Sequence, residues 1–163
     1  MKLIRPTIAF DQQIQAYRKE FLDCGDSMDG TGGLRRFEEP QDWISFTNAH
    51  QDQQYIFIRE EDGKIVGMLQ IRPILNEYLK RYGGHIGYSV APSERLRGYA
   101  TQMLQMALPI CKKIGMKDVL ITCLKSNEGS RKSICKNGGV YESTVYEPEE
   151  GLEVERYWIH LPD

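Results

Sequence analysis

The chain has 163 residues, with 40% hydrophobic and 27% charged side chains and a formal net charge of -2. That length and mix suit a single domain over residues 1–163 with its own core, and exclude a disordered polar chain. The small net charge gives no support for a nucleic-acid or acidic-membrane partner, and no apolar run approaches the roughly 18 residues of a membrane span.

The opening residues MKLIRPTIAF are too short and too broken by Pro6 for a signal peptide. Cys24, Cys111, Cys123 and Cys135 form no CxxC pair and no zinc-ligand spacing. They read as reduced thiols of a cytoplasmic protein, mostly buried as small hydrophobes. His50, His85 and His160 are far apart, so no metal site is expected.

Residues 3–10 alternate as a first strand. In DQQIQAYRKEFLDC, residues 11–24, Ile14, Tyr17, Phe21 and Leu22 share one helical face, with Asp11 as cap and Gly25 as stop. GDSMDGTGGLRRFEEP, residues 25–40, is a long glycine-rich loop, and loops of this length often carry binding function. A second helix starts near Pro40–Asp42 and runs to about Asn48, with Trp43, Ile44 and Phe46 apolar. Two strand-like runs flank Asp62-Gly63, a strong hairpin signal. NEYLKRYGG, 76–84, interrupts the pattern before the strand HIGYSVA.

The next helix, from Gly98 to Gly115, places Ala100, Met103, Leu104, Ala107, Cys111 and Ile114 on one face, with Pro109 inside it as a bend. DVLITC, 118–123, is continuously apolar and reads as a central strand buried on both faces. A short helix over about 128–137 ends at Gly138-Gly139, and VYESTVY and LEVERYWIHL form two last strands. The order β-α-α-β-β-β-α-β-α-β-β is a mixed α/β sheet.

The stretch SERLRGYATQML, 93–104, carries the chemistry. A helix start attracts negative charge, yet this one adds Arg95 and Arg97 to its positive end. Gly98 and Ala100 let a ligand approach the backbone, where unpaired amides bind phosphate well. The arginines add charge-assisted donors. A pyrophosphate is the simplest ligand that accounts for the whole set.

The pattern R-x-x-G-x-A at 95–100, after the strand end Val90-Ala91-Pro92, resembles the pyrophosphate motif of the GNAT superfamily of acyl-CoA-dependent N-acyltransferases. The order of elements over the whole chain is similar too. So is SNEGSRKSICKNGGVYE, 126–142, with its leading Asn and its Gly-Gly entry to the following strand. With GGHIGYSV and RYWI, the chain resembles a bacterial subgroup of predicted acetyltransferases. The resemblance implies the GNAT fold, a single mixed and largely antiparallel sheet of about seven strands flanked by about four helices. It implies acetyl-CoA as co-substrate, with Ser89 and Val90 pairing with the pantetheine arm and Arg95, Arg97, Gly98, Tyr99, Ala100 and Thr101 around the pyrophosphate. Asn127 would meet the pantetheine, and Ser130 or Arg131 the adenine or 3′-phosphate end.

Acetyl transfer to an amine requires the free-base amine, a stabilised oxyanion and a protonated leaving thiolate. The Val90 N–H suits the oxyanion. His85, mostly free base at neutral pH, is the first candidate for the base, with Glu155, Tyr157, Glu77 and Tyr78 behind it. Many GNAT enzymes carry a Tyr four residues before the glycine that ends the last helix; here that position is Ile134. Tyr88, Tyr141 or a water would replace it, or the thiolate would leave without a dedicated acid.

The expectation is direct transfer from acetyl-CoA to a primary amine of a small molecule or peptide, without a covalent enzyme intermediate. The alternative is a non-catalytic acyl-CoA-binding GNAT module acting as a sensor or regulatory protein. The loop Asp29–Leu34 and the stretch Asn76–Tyr82 would wall the acceptor site, and Asp26, Asp29, Glu38 and Glu39 could attract an amine. The edge of the C-terminal strands could pair with a second chain to form a homodimer.

Overall fold

The computed structural model describes residues 1–163 and contains seven strands and four α-helices, in the order expected from the sequence. The strands hydrogen-bond as two sheets of four and three, where one continuous sheet was expected. The chain also forms two compact units, Met1–Ile71 with Gly87–Tyr99, and Arg72–Ile86 with Ala100–Asp163.

The first unit holds the sheet β1-β2-β3-β4, made of Lys2–Ile4, Gln53–Arg59, Lys64–Ile71 and Ile86–Val90. β1 is shorter than expected because Pro6 lacks the N–H that a ladder needs, and the chain turns into a 3-10 segment at Ile8–Phe10. The β2–β3 hairpin turns at Gly63, whose φ of 70° suits only glycine without strain.

Helix α1, Asp11–Cys24, starts with Asp11 in its first turn, and Gly25 closes it in the left-handed region with its N–H on the Phe21 carbonyl at 3.0 Å. Ile14, Tyr17 and Phe21 are buried at the expected spacing; Leu22 lies outside the stripe and is exposed. Helix α2, Pro40–Ala49, adds Trp43 and Ile44, while Phe46 is half-buried beside Arg36 and His50. These side chains pack with Ile56, Ile58, Ile65 and Met68 into one core. Burying a side chain the size of Phe21 contributes about 2–3 kcal/mol. Trp43 is fully buried and donates its Nε1–H to the Thr31 carbonyl at 2.7 Å, which ties the glycine-rich loop to the core.

The second unit holds the antiparallel sheet β5-β7-β6, made of Asp118–Leu124, Leu152–His160 and Val140–Glu147. β7 is the middle strand, so β5 is not the central strand its apolar run suggested, although Val119, Leu120 and Ile121 are buried. Along its other edge β5 meets residues 82–85 through the bridge Gly84–Ile121, the His85 N–H on the Leu120 carbonyl at 2.7 Å and the Thr122 hydroxyl on the Tyr82 carbonyl at 2.8 Å.

Helix α3, Tyr99–Lys113, buries Met103, Leu104, Ala107 and Cys111, with Ala100 half-buried and Ile114 exposed past its last turn. Pro109 lies inside it. Helix α4, Glu128–Lys136, is capped by Asn127, whose Oδ1 accepts the Ser130 N–H at 3.1 Å. Cys111 and Cys123 are buried, but Cys24 and Cys135 are exposed, so only half of the thiols behave as core hydrophobes. No helix is long and apolar enough to cross a membrane.

Candidate active site

β4 ends at Val90, and the Ala91 N–H donates to the Val66 carbonyl at 2.9 Å, which fixes the point where the chain leaves the sheet. A 3-10 turn, Pro92–Glu94, follows, and then a loop in which Leu96 and Gly98 both have positive φ, 63° and 79°. A left-handed non-glycine costs about 1–2 kcal/mol. Backbone amides brought together by such left-handed residues form an anion-binding concavity. The start of α3 has no acidic residue in its first turn, and a Cβ on Gly98 would meet nothing within 4 Å. The loop therefore presents an open backbone at a helix start whose first turn carries no acid.

Glu94 builds this loop, and no local pattern in the sequence marks it. Its buried carboxylate accepts from Arg59 at 2.7 Å and from Lys64 at 2.8 Å, and lies 3.5 Å from Arg97. Hydrogen bonds from Arg59 and then Lys64 hold it below the usual carboxylate range. Arg97 is thereby anchored at one side while remaining exposed. Arg95 pairs with Asp26 at 2.6 Å, stacks over Phe21 and reaches the Val90 carbonyl at 3.4 Å. Asp26, a candidate for attracting an amine, is paired with Arg95, whose hydrogen bond holds its carboxyl below the usual carboxylate range.

Tyr99 turns its side chain inward. Its hydroxyl accepts from Arg59 at 3.1 Å and its ring packs on Phe57, so only its backbone is offered to a ligand. Thr101 is likewise used by the helix pair: its hydroxyl donates to Ser133 Oγ at 3.1 Å, and its carbonyl accepts from Asn137. Arg131 is clasped by Glu155 at 2.8 Å and also donates to the Lys125 carbonyl. Its Nε and Nη2 are thereby engaged within the protein. Glu155 and Tyr157 belong to the same cluster, 2.7 Å apart, and burial pushes Tyr157 up to about 12. Neither suits proton abstraction from an amine.

On β4, Ser89 meets a residue that sequence reasoning placed only in the core. The buried Tyr17 hydroxyl lies 2.9 Å from Ser89 Oγ and 3.1 Å from the Ser89 carbonyl. Burial raises the Tyr17 pKa, so the phenol remains a donor. The glycine-rich loop reaches the same strand at Gly30, where an added Cβ would overlap the Gly87 carbonyl and the Tyr88 backbone. Buried Gln54 fixes that contact by donating to the Gly30 carbonyl at 2.8 Å. These ties join residues far apart in the chain, so nothing local signals them.

His85 is not placed as a general base. Its Nδ1 accepts the Leu120 backbone N–H at 2.9 Å, so the neutral ring carries its proton on Nε2. The lone pair that a base would use is already occupied. Burial lowers its pKa below the ordinary imidazole value and keeps the ring neutral. Ile134 is fully buried against Gly139 and is a packing residue. Tyr141 is exposed with its hydroxyl on Thr144 at 2.8 Å, and Tyr88 is half-buried on β4.

Within the second unit, Leu75, Lys80, His85, Leu120, Arg156 and Trp158 line a cavity of about 420 Å³. Its wall is fixed by Glu142, which accepts from Arg156 at 2.6 Å and from Trp158 Nε1 at 3.1 Å and is held at about 2, mainly by the Arg156 hydrogen bond. Arg156 also donates to the carbonyls of Lys80 and Arg81 at 2.5 and 2.7 Å, which pins the 79–83 turn to β7.

The chain is similar in fold to an N-acetyltransferase from Staphylococcus aureus, at 17% identity over 98% of this chain and 97% of that one, TM-score 0.71. It is similar to a ribosomal-protein-S5-alanine acetyltransferase from Vibrio fischeri, at 13% identity over 97% and 91%, TM-score 0.74. A third likeness is to the dodecameric spermidine N-acetyltransferase of Vibrio cholerae, at 12% identity over 98% and 92%, TM-score 0.67. No curated protein matches the chain by sequence. At these identities the structures establish the fold alone. The family description "Acetyltransferase (GNAT) family" matches residues 14–137, well over half of the sequence, and the chain belongs to that family.

Proposed function

We propose that residues 1–163 act as one cytoplasmic N-acetyltransferase domain that moves an acetyl group from acetyl-CoA to a primary amine of a small molecule or peptide by direct transfer. The observation that carries this is the loop 91–99: two left-handed residues, an acid-free helix start and two arginines anchored at its rim. Acetyl-CoA supplies the activated acyl carbon when bound. Arg95, Arg97 and the amides from Gly98 to Thr101 hold its pyrophosphate. The Ser89 and Val90 backbones align the pantetheine arm, and the Val90 N–H faces the developing oxyanion. Tyr17, through Ser89, keeps this part of β4 in place.

The test is thermal unfolding with acetyl-CoA, with NADH and ATP as controls. At a hundred times its dissociation constant, a ligand adds about 2.7 kcal/mol of stability. Gly98→Glu puts a carboxylate into the open space at the helix start and should remove that shift. Its own left-handed strain, about 1–2 kcal/mol, lowers the baseline, so the ligand-induced difference is compared. A shift retained in the variant would refute the phosphate loop.

The buried Ile134 favours a second reading, an acyl-CoA-binding module without turnover. Acetyl-CoA binding with no acetylated product across a panel of amines would select it.

A further inference from the structure

The cavity beside β5 and β7 has a distinct chemistry. Leu75, Leu120 and Trp158 make its walls apolar, and its remaining lining side chains are Lys80, Arg156 and a neutral His85. No carboxylate lines it; the nearby Glu142 is already engaged by Arg156 and Trp158 Nε1. With Nδ1 held by Leu120, His85 has an Nε2–H donor left to offer. Lys80 is an exposed cation whose only ion pair is with the exposed Glu77, 3.0 Å away, an attachment water readily competes for.

A polycationic ligand would meet Lys80 and Arg156 here and no lining carboxylate. An apolar body with one anionic group would find walls to fill and donors to meet. The volume, about 420 Å³, lies at the lower end of the range for small-molecule sites. We propose that this cavity is the acceptor pocket and that it takes a small primary amine bearing an aromatic or branched apolar body and a carboxylate, an apolar α-amino acid in its simplest form. The assignment as acceptor rests on the acetyl-transfer reading; the ligand class rests on the cavity alone. With Arg156 paired to Glu142, Lys80 is the lining charge that favours the free-base form of a bound amine, the form that attacks an acyl carbon.

The test is calorimetric titration of the full chain, without acetyl-CoA, with L-phenylalanine, phenethylamine and spermidine. L-Phenylalanine should bind at least tenfold tighter than phenethylamine, which lacks the carboxylate, and spermidine should not bind. Lys80→Glu at an exposed position should weaken L-phenylalanine about tenfold, and Leu75→Trp should fill the cavity and abolish binding. Acetyl-CoA is then added and N-acetyl product followed by mass spectrometry. Binding that is lost in both variants, without product, keeps the ligand class and overturns the acceptor assignment. Spermidine binding in preference to L-phenylalanine, or product formation indifferent to both variants, overturns the pocket while leaving acetyl transfer standing.

Discussion

Replacing Glu94 with Ala removes the carboxylate that holds Arg97 of the 91–99 loop beside Arg59 and Lys64 of the β2–β3 hairpin. The side chain is 6% exposed and makes two short charged hydrogen bonds, to Arg59 at 2.7 Å and Lys64 at 2.8 Å. Breaking a fully buried pair costs about 3–5 kcal/mol. Here the partners differ in access: Arg59 is 18% exposed, but Lys64 is 40% and Arg97 57% exposed and recover water. Arg59 keeps Asp62 at 2.6 Å, so the expected loss is that of two charged hydrogen bonds at a partly solvated site, about 2 kcal/mol. For a chain of this size, that lowers the melting temperature by about 4–8 °C.

The effect on acetyl-CoA runs against simple charge counting. Removing a negative charge beside two arginines favours a pyrophosphate, but that gain is screened at an exposed rim. The loop loses the anchor that places Arg97 and the 3-10 turn, so affinity should fall about tenfold, roughly 1.4 kcal/mol. Circular-dichroism melts and calorimetric titration with acetyl-CoA read the two effects. A melting temperature within about 2 °C of the wild type, or tighter acetyl-CoA binding, would falsify the clamp.

Gly30→Ala adds about 1–2 kcal/mol of left-handed strain to a Cβ overlap with the Gly87 carbonyl. A total of about 3 kcal/mol or more is expected by denaturant unfolding, and a loss under about 1 kcal/mol would mean that the loop does not rest on β4. Tyr17→Phe leaves the packing intact but removes the donor to Ser89, so it should cost about 1–2 kcal/mol and slow acetyl transfer with little change in acetyl-CoA affinity. Equal turnover would show that Ser89 needs no such tether. His85 has a pKa below its unfolded value of 6.5, so the unfolded chain takes up the proton first. Its contribution is present above pH 6.5 and is lost as pH falls from there toward the folded value, where protonation also breaks the Leu120 bond. Melting temperature measured from pH 7.5 to 5 should therefore fall more steeply for the wild type than for His85→Gln; parallel curves would remove His85 from that loss.

The sequence by itself determined the order of the elements. Periodicity placed α1 at 11–24, the Asp-Gly signal placed the β2–β3 hairpin, and the glycines at 25, 63 and 115 marked turns that adopt positive φ. These features depend on neighbours a few residues away, so local composition records them. Arg95, Arg97 and Gly98 were legible for the same reason, because a helix start is a local object.

What only the tertiary structure decided depends on contacts between distant residues. Tyr17 meets Ser89 across 72 positions, Glu94 meets Arg59 across 35, and His85 loses its role as a base to a backbone N–H 35 residues away. Arg131, read as a ligand for phosphate, is neutralised by Glu155 on β7. A side chain's charge and hydrogen-bonding capacity are written in its type, but whether that capacity is spent or free is set by which atoms the fold brings within 3 Å.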